Sequence, residues 1–344
     1  MNSVLKLKKA LYGLKQAPLE WNKTLNKFLF QIRFKRCEAE PCVFWRKDTL
    51  LYVHVDEMAI FSKNPRNFVE ELKTRFKVKE LGEVSLLLSM KIRHFPNYVE
   101  LSQEHYVDQL LSRMKCQEIF PLKTPMLPQT KLVKESLKEQ NQLKKLNVNY
   151  RAMVGSLNYL CCTTRSDIAY AVGALSQFLN MPGIKHWEAC IGVLQYLQGS
   201  RNVVLKIFGS SDPNSLVAFS DADWGNCTSS HRSISGYVVK WNGSLISWKS
   251  KKQGTIATST TQAEYQALSD VVKEIMWLKI LIKKIFNIKI DFPTTIHEDN
   301  QGAINLANKE SNHSHFKTKH MSLKYHFIRQ EIKLKHIKLE YTKT

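Results

Sequence analysis

The apolar positions of the first hundred residues alternate between two periods. Leu19, Trp21, Leu25, Phe28, Leu29 and Ile32 lie on a helical stripe over 19–33, and Pro18 suits its first turn. Leu50–Phe61 instead reads as two short apolar strands around Asp56-Glu57. Asn67–Phe76 returns to the helical period. Val84–Ile92 and Tyr98–Leu101 are expected to form a hairpin turned at Pro96-Asn97, followed by a helix to Met114 with Ser102 as its N-cap.

Residues 121–148 change character. Pro121, Pro125 and Pro128 precede a Lys- and Gln-rich stretch with little apolar content, which reads as a linker. Tyr150–Gly199 is helical material: Val154, Leu157 and Leu160, then Ile168–Leu179, then His186–Leu197, with Pro182-Gly183 separating the last two. Beyond Ser211-Asp212-Pro213-Asn214, three strands are expected at Leu216–Ser220, Ser235–Trp241 and Ser244–Trp248. The last two are joined by Asn242-Gly243, a strong hairpin turn. Thr261–Phe286 is a long amphipathic helix with Leu268, Val271, Val272, Ile275 and Leu278 facing a core. A strand at Thr294–His297, helices at Gly302–Ala307 and His320–Arg329, and a strand at His336–Tyr341 complete the order βββ-α-β-α-α-β, a mixed α/β arrangement. The chain has no internal repeat.

Composition narrows the class. At about 150 residues per domain, 344 residues make two or three domains. With 43% hydrophobic and 10% aromatic residues the chain is no disordered basic tail. No apolar run approaches the roughly 18 residues of a membrane span, and Met1–Ala10 lacks the apolar core of a secretory signal. The seven cysteines include no C-x-x-C pair and read as reduced thiols of an intracellular protein, cytoplasmic or nuclear. Lys and Arg number 51 against 30 Asp and Glu, a formal charge of +21, which favours a polyanionic partner such as nucleic acid.

Four acidic groupings could carry chemistry. Asp56-Glu57 sits at a strand–turn–strand junction, where it could hold Mg²⁺ or be a solvated acidic turn. Asp221 ends a strand in Ser220-Asp221-Ala222-Asp223-Trp224. Glu264 opens the long helix in Ala263-Glu264-Tyr265, and Asp299 stands where a strand gives way to a helix in Glu298-Asp299-Asn300-Gln301. Acids at two strand ends and one helix start can converge on one edge of a sheet, as a two-metal phosphodiesterase requires. Each also has a purely structural alternative: Thr261 and Glu264 form a capping-box pattern, Asp299 suits a helix dipole, and Asp221 is a common turn residue.

The motifs resemble, in order and over nearly the whole chain, those of Ty1/copia-type retrotransposon Pol polyproteins, in the reverse transcriptase and ribonuclease H region. Leu11-Tyr12-Gly13-Leu14-Lys15-Gln16-Ala17-Pro18 is similar to the family's signature segment. Leu101–Tyr106, Thr164–Ala169, His186–Ala189, Ser220–Trp224, Ser235–Tyr237, Ser247–Gln253, Ala263–Tyr265, Asp299–Gln301 and Tyr325–Arg329 continue it.

The resemblance implies an α+β protein: a partial reverse-transcriptase palm (1–120), a linker (121–148), a helical thumb or connection (149–212) and a ribonuclease H-like mixed-sheet domain (213–344). It implies Mg²⁺ or Mn²⁺ as cofactor and an RNA/DNA hybrid as partner, with no membrane. The polymerase Tyr-Val-Asp-Asp hairpin falls on His54-Val55-Asp56-Glu57, so Asp56 matches a metal ligand and Glu57 replaces the second, one methylene longer. Gln16 matches a position near an incoming nucleotide, and Lys15 beside it is a candidate nucleic-acid contact. Asp221, Glu264 and Asp299 fall on three of the four ribonuclease H acids, and Arg232, Lys249, Lys251 and Lys252 on phosphate contacts. The upstream palm acid and the fourth ribonuclease H acid are expected to lie outside this sequence, and His320-Met321-Ser322 departs from the family's His-Ile-Asp. These departures imply an inactive polymerase with residual ribonuclease H activity, or a catalytically dead nucleic-acid-binding remnant.

Overall fold

The computed structural model describes residues 10–127, 130–209, 215–225, 227, 230–288, 290, 292–308 and 319–343. The chain divides into two compact units, Met1–Val84 with Trp277–Lys289, and Ser85–Met276 with Ile290–Thr344.

In the first unit, α1 (Ala17–Gln31) has Pro18 in its first turn and buries Leu25, Phe28 and Leu29. Leu19 lies off this face at 57% exposed, so the buried stripe starts later than the sequence pattern indicates. A four-stranded sheet follows in the order β1 (Lys35–Arg36), β2 (Val43–Arg46), β3 (Thr49–His54) and β4 (Glu57–Phe61). Every pairing is antiparallel. The helix α2 (Pro65–Lys73) turns Phe68, Val69 and Leu72 inward. Phe28, Phe34, Phe44, Leu51 and Phe68 close the core, and Phe76 meets Phe28 edge-on with ring centroids 5.2 Å apart.

The second unit opens with β5 (Leu86–Leu87), β6 (Met90–His94) and β7 (Tyr98–Ser102), so Val84–Ile92 is two strands, not one. Ser102 ends β7, and Gln103 is the N-cap of α3 (Glu104–Arg113). The Ser102 hydroxyl still accepts the Glu104 N–H, at 3.2 Å.

The stretch expected as a linker is structured. It contains α4 (Leu137–Lys145), opened by a reciprocal Ser136–Glu139 capping box, and α4 buries Leu143. One buried leucine on a polar helix whose other leucine, Leu137, stays exposed is too weak a pattern to read from sequence, yet it seats the segment on a core built by α5 (Tyr150–Thr163), α6 (Ala169–Ser176) and α7 (Ile184–Gly199). Glu135, just upstream, accepts the Lys185 N–H at 3.0 Å at the start of α7. The strand β8 (Leu205–Phe208) returns to pair with β7.

The remaining elements are β9 (Leu216–Asp223), β10 (Ile234–Trp241), β11 (Ser244–Lys252), α8 (Thr260–Phe286), β12 (Thr294–Glu298), α9 (Gln301–Asn308), α10 (Lys319–Lys333) and β13 (Ile337–Tyr341). The sheet order is β11-β10-β9-β12-β13. The first three strands form an antiparallel meander, whereas β12 runs parallel to both β9 and β13. Asn242 and Gly243 both adopt positive φ, 53° and 76°, the geometry of the tight turn between β10 and β11. Leu268, Val271, Val272, Ile275 and Leu278 of α8 are all buried, as their spacing predicts. Trp248 Nε1 donates to Cys161 O at 2.8 Å, tying this sheet to the helical region within the same unit.

Candidate metal centre

Asp221 and Asp299 meet because β9 and β12 are parallel neighbours. His297 is opposite Phe219 in the register, and the acids lie two residues beyond each of these. Alternation puts Asp221 on the open side of β9 while Ala218, Ser220 and Ala222 face inward. Glu264 enters from the first turns of α8, flanked by Ala263 and Tyr265, both fully buried. The helix start is set by Ser259, whose hydroxyl accepts the Gln262 N–H at 3.1 Å. The expected Thr261–Glu264 capping box is therefore absent, and the Glu264 carboxylate is free to point at the two aspartates. Asn300 caps α9 through its Oδ1, which accepts the Ala303 N–H at 2.9 Å. Gly302 is required beside it, since a Cβ there would lie 2.8 Å from Thr261 Oγ1.

One carboxylate oxygen from each of Asp221, Glu264 and Asp299 lies within 4.8 Å of the others. Asp221 is exposed, Asp299 half-buried and Glu264 buried. Burial, then the charges of Glu298, Asp221 and Asp299, push the Glu264 carboxyl up to about 9. Burial and the Asp299 and Asp223 charges likewise raise Asp221. Glu264 Oε2 is buried with no hydrogen-bond partner. Such an arrangement is costly without a compensating cation. An all-oxygen set of three converging carboxylates suits a hard divalent ion, so the residues present fit one.

The sequence reading missed the role of Glu298 in this electrostatics. It is 1% exposed, and burial pushes its carboxyl up to about 8. Its Oε1 accepts the Asn300 N–H at 3.2 Å, and its Oε2 has no partner. Alternation along Thr294–Glu298 was the available signal: Glu298 shares the buried face of Thr294 and Ile296.

The other candidates do not join this centre. Asp56 and Glu57 are exposed and lie in the first unit. Val55 and Asp56 form the two-residue turn between β3 and β4, with His54 paired to Glu57. Val55 has φ 56°, costly for a β-branched residue, and Trp21 Nε1 holds the turn by donating to Val55 O at 2.6 Å. Among the described residues, no group of three metal-ligating side chains forms around Asp56. Lys15 and Gln16 are exposed, and Gln16 is the N-cap residue of α1 without a side-chain capping bond.

The basic run on β11 is split, not continuous. Lys249 and Lys251 alternate with Lys252 across the strand. Lys249 lies over the Tyr237 ring, 5.9 Å from its centroid. Lys252 Nζ is 3.5 Å from Cys227 Sγ. Arg232 is half-buried, and its carbonyl accepts the Cys227 N–H at 3.2 Å. All seven cysteines are free. Among the described residues no helix is long and apolar enough to cross a membrane.

The five-stranded sheet carries the acidic triad at one edge, with two members at the ends of the neighbouring strands β9 and β12 and the third in the first turns of α8. The reverse transcriptase (RNA-dependent DNA polymerase) family matches residues 1–128. The Retrovirus-related Pol polyprotein from transposon TNT 1-94 of Nicotiana tabacum is 36% identical over 344 residues, spanning 96% of this chain and 25% of that protein. The putative transposon Ty5-1 protein of Saccharomyces cerevisiae is 33% identical over 274 residues, covering 77% of this chain and 87% of that one. The chain belongs to the copia-type retrotransposon Pol family, and its residues 1–128 match that family's reverse transcriptase. It spans about a quarter of the plant polyprotein's length. Among solved structures, the foamy viral protease-reverse transcriptase in complex with an RNA/DNA hybrid aligns over 97% of this chain and 39% of that one, at 11% identity and a TM-score of 0.43.

Proposed function

We propose that the second unit hydrolyses the RNA strand of RNA/DNA hybrids with Mg²⁺ or Mn²⁺ held by Asp221, Glu264 and Asp299. The observation that carries this reading is the convergence of three carboxylates from β9, α8 and the end of β12 within 4.8 Å. Divalent ions bound there would polarise the scissile phosphate and activate water. Asp221, the exposed member, faces the substrate side. Glu264 is fixed by burial, contributes one oxygen to the cluster and leaves Oε2 without a hydrogen-bond partner. Because Glu264 and Glu298 carry raised pKa values, the protein holds protons at this site that it releases on binding a cation.

The strand backbone is attracted by the overall charge of +21 and by Arg232, Lys249, Lys251 and Lys252, which bind phosphates without reading bases. Lys15 and Gln16, exposed just before α1, serve the same purpose in the first unit. We read the β3–β4 hairpin as a silent polymerase site. Glu57 is one methylene longer than a second Asp, which displaces its carboxylate by about an ångström, enough to spoil a two-ion geometry. That departure, together with Ser322 where the family has Asp, favours the second reading, a nucleic-acid-binding remnant with neither site active. The free thiols and the family suit the cytoplasm or nucleus.

The test is cleavage of a labelled RNA/DNA hybrid by the purified chain with Mg²⁺, alongside Asp221→Asn. Cleavage that disappears in the variant supports the nuclease. Salt-sensitive hybrid binding without cleavage supports the remnant.

A further inference from the structure

The first unit contains a cavity of about 700 Å³ that none of the chemistry above uses. It lies at the Arg46–Thr49 end of the β2–β3 ribbon, where Arg46 pairs with Thr49. Asp56 is at the other end of β3, about 17–20 Å away for a strand of this length. The cavity is therefore separate from the hairpin that corresponds to the polymerase site.

Its lining is strongly cationic. Arg33, Lys35, Arg46, Lys47 and Lys63 face it, against Asp48 and Glu71. Arg46 is spent internally: its Nη1 donates to Glu71 Oε2 at 2.7 Å and to Ile32 O at 2.8 Å, and its guanidinium lies over Phe34. That leaves Arg33, Lys35, Lys47 and Lys63 opposed only by Asp48. Arg33, Lys47 and Lys63 are exposed and form no ion pair among the described residues. Arg33 and Lys47 both sit at left-handed turns, φ 70° and 49°. One aromatic surface is present, the half-buried Trp45 indole, with Lys35 Nζ 5.1 Å from its ring centroid. The Thr49 and Ser62 hydroxyls supply neutral polar contacts.

Several converging cations around one aromatic face is the chemistry that holds a nucleotide: charge for the phosphate, the ring for the base. The volume lies in the roughly 300–1,000 Å³ range of sites that enclose a small ligand. It is large enough for a nucleotide or two. We propose that this cavity binds a single-stranded segment of nucleic acid, with a base against Trp45 and phosphates on Arg33, Lys47 and Lys63. The proposal is independent of the ribonuclease H reading, since its residues lie in the other unit.

The experiment uses the full chain and a single-stranded DNA 12-mer carrying 4-thiothymidine. Affinity is measured as a function of salt for the parent and for the triple variant Arg33→Gln/Lys47→Gln/Lys63→Gln, all of whose changes are on the surface. The expected result is a loss of affinity of tenfold or more. The salt slope should fall by about 2, the yield of three lost phosphate contacts on a single strand. Photocrosslinks should map to Trp45, and Trp45→Phe should retain binding better than Trp45→Ala. Hybrid cleavage, if present in the parent, should persist in the triple variant. Unchanged affinity and slope, or crosslinks confined to other regions, overturn the proposal. So does competition by free thymidine triphosphate as effective as the strand itself, which would make the cavity a mononucleotide pocket.

Discussion

Arg165 grips the carboxylate of Asp167, two residues along, through Nε at 3.0 Å and Nη2 at 2.7 Å, while only 1% of Arg165 is exposed. The same guanidinium donates to Ser200 O and Oγ, and Tyr196 donates to Asp167 at 2.7 Å. The Thr164-Arg165-Ser166-Asp167 motif is thus the polar lock between α5, α6 and the end of α7. Burial by itself would raise the Asp167 carboxyl, but the bonds from Arg165 and Tyr196 outweigh it and hold the group below its ordinary value.

Asp167→Asn is expected to cost about 2–4 kcal/mol, since it leaves a buried guanidinium without its counter-charge. A depressed carboxyl stabilises the fold above the unfolded pKa and loses that contribution as pH falls through the folded value. Urea unfolding across pH 2–7 should show the parent losing stability in the acid limb below about pH 4, with a flatter limb in the variant.

Glu264 and Glu298 work in the opposite direction. Their folded values, about 9 and about 8, lie far above the ordinary 4.5. The folded state holds protons that the unfolded state has released, so the metal-free protein should lose stability as pH rises from about 4.5 to 9. Thermal melts in a chelator should show this fall. Glu298→Gln should shrink it and raise the melting temperature at pH 8. Saturating Mg²⁺ should flatten it in the parent, and a melt curve indifferent to Mg²⁺ would count against metal binding at this site.

Asp221→Asn separates catalysis from folding. Hybrid cleavage is expected to drop by at least about 10²–10³, the scale on which a single preorganised electrostatic group acts. The metal-free melting temperature should hold or rise, because a repulsive charge has been removed from the cluster. A variant that melts earlier and cleaves normally would show that Asp221 serves the fold instead.

Gly183→Ala tests the packing of the segment that resembled a linker. A Cβ at Gly183 would fall 2.8 Å from Glu135 Cβ and closer still to its carboxylate. Glu135 would be driven from the start of α7, at a cost of about 1–3 kcal/mol for overpacking. The loss should be visible as earlier proteolysis around residues 121–148, with Glu135→Ala giving a similar digestion pattern.

The longer helices, the β9–β13 strands and the three acids as candidates were legible in the chain itself, whereas β1, β2, α4 and β8 were not. Helical stripes such as Leu268–Leu278, the Asn242-Gly243 turn, and the acids at 221, 264 and 299 depend on local periodicity and on spacing, which a sequence displays directly. What the chain did not display was set by contacts between residues far apart. Leu143 is one of two leucines on an otherwise polar helix until the core of α5–α7 receives it, so residues 121–148 read as a linker. Glu298 is an ordinary acid in a motif until pairing of β12 beside β9 encloses it and raises its pKa. The Lys249–Lys252 run divides because β11 is a strand whose neighbours are on opposite faces. The basic cavity assembles Arg33 after α1, Trp45 in β2 and Lys63 after β4, residues far apart along the chain. Local patterns name the elements; the parallel pairing and long-range burial decide which side chains meet, because only they remove water and fix charges at ångström distances.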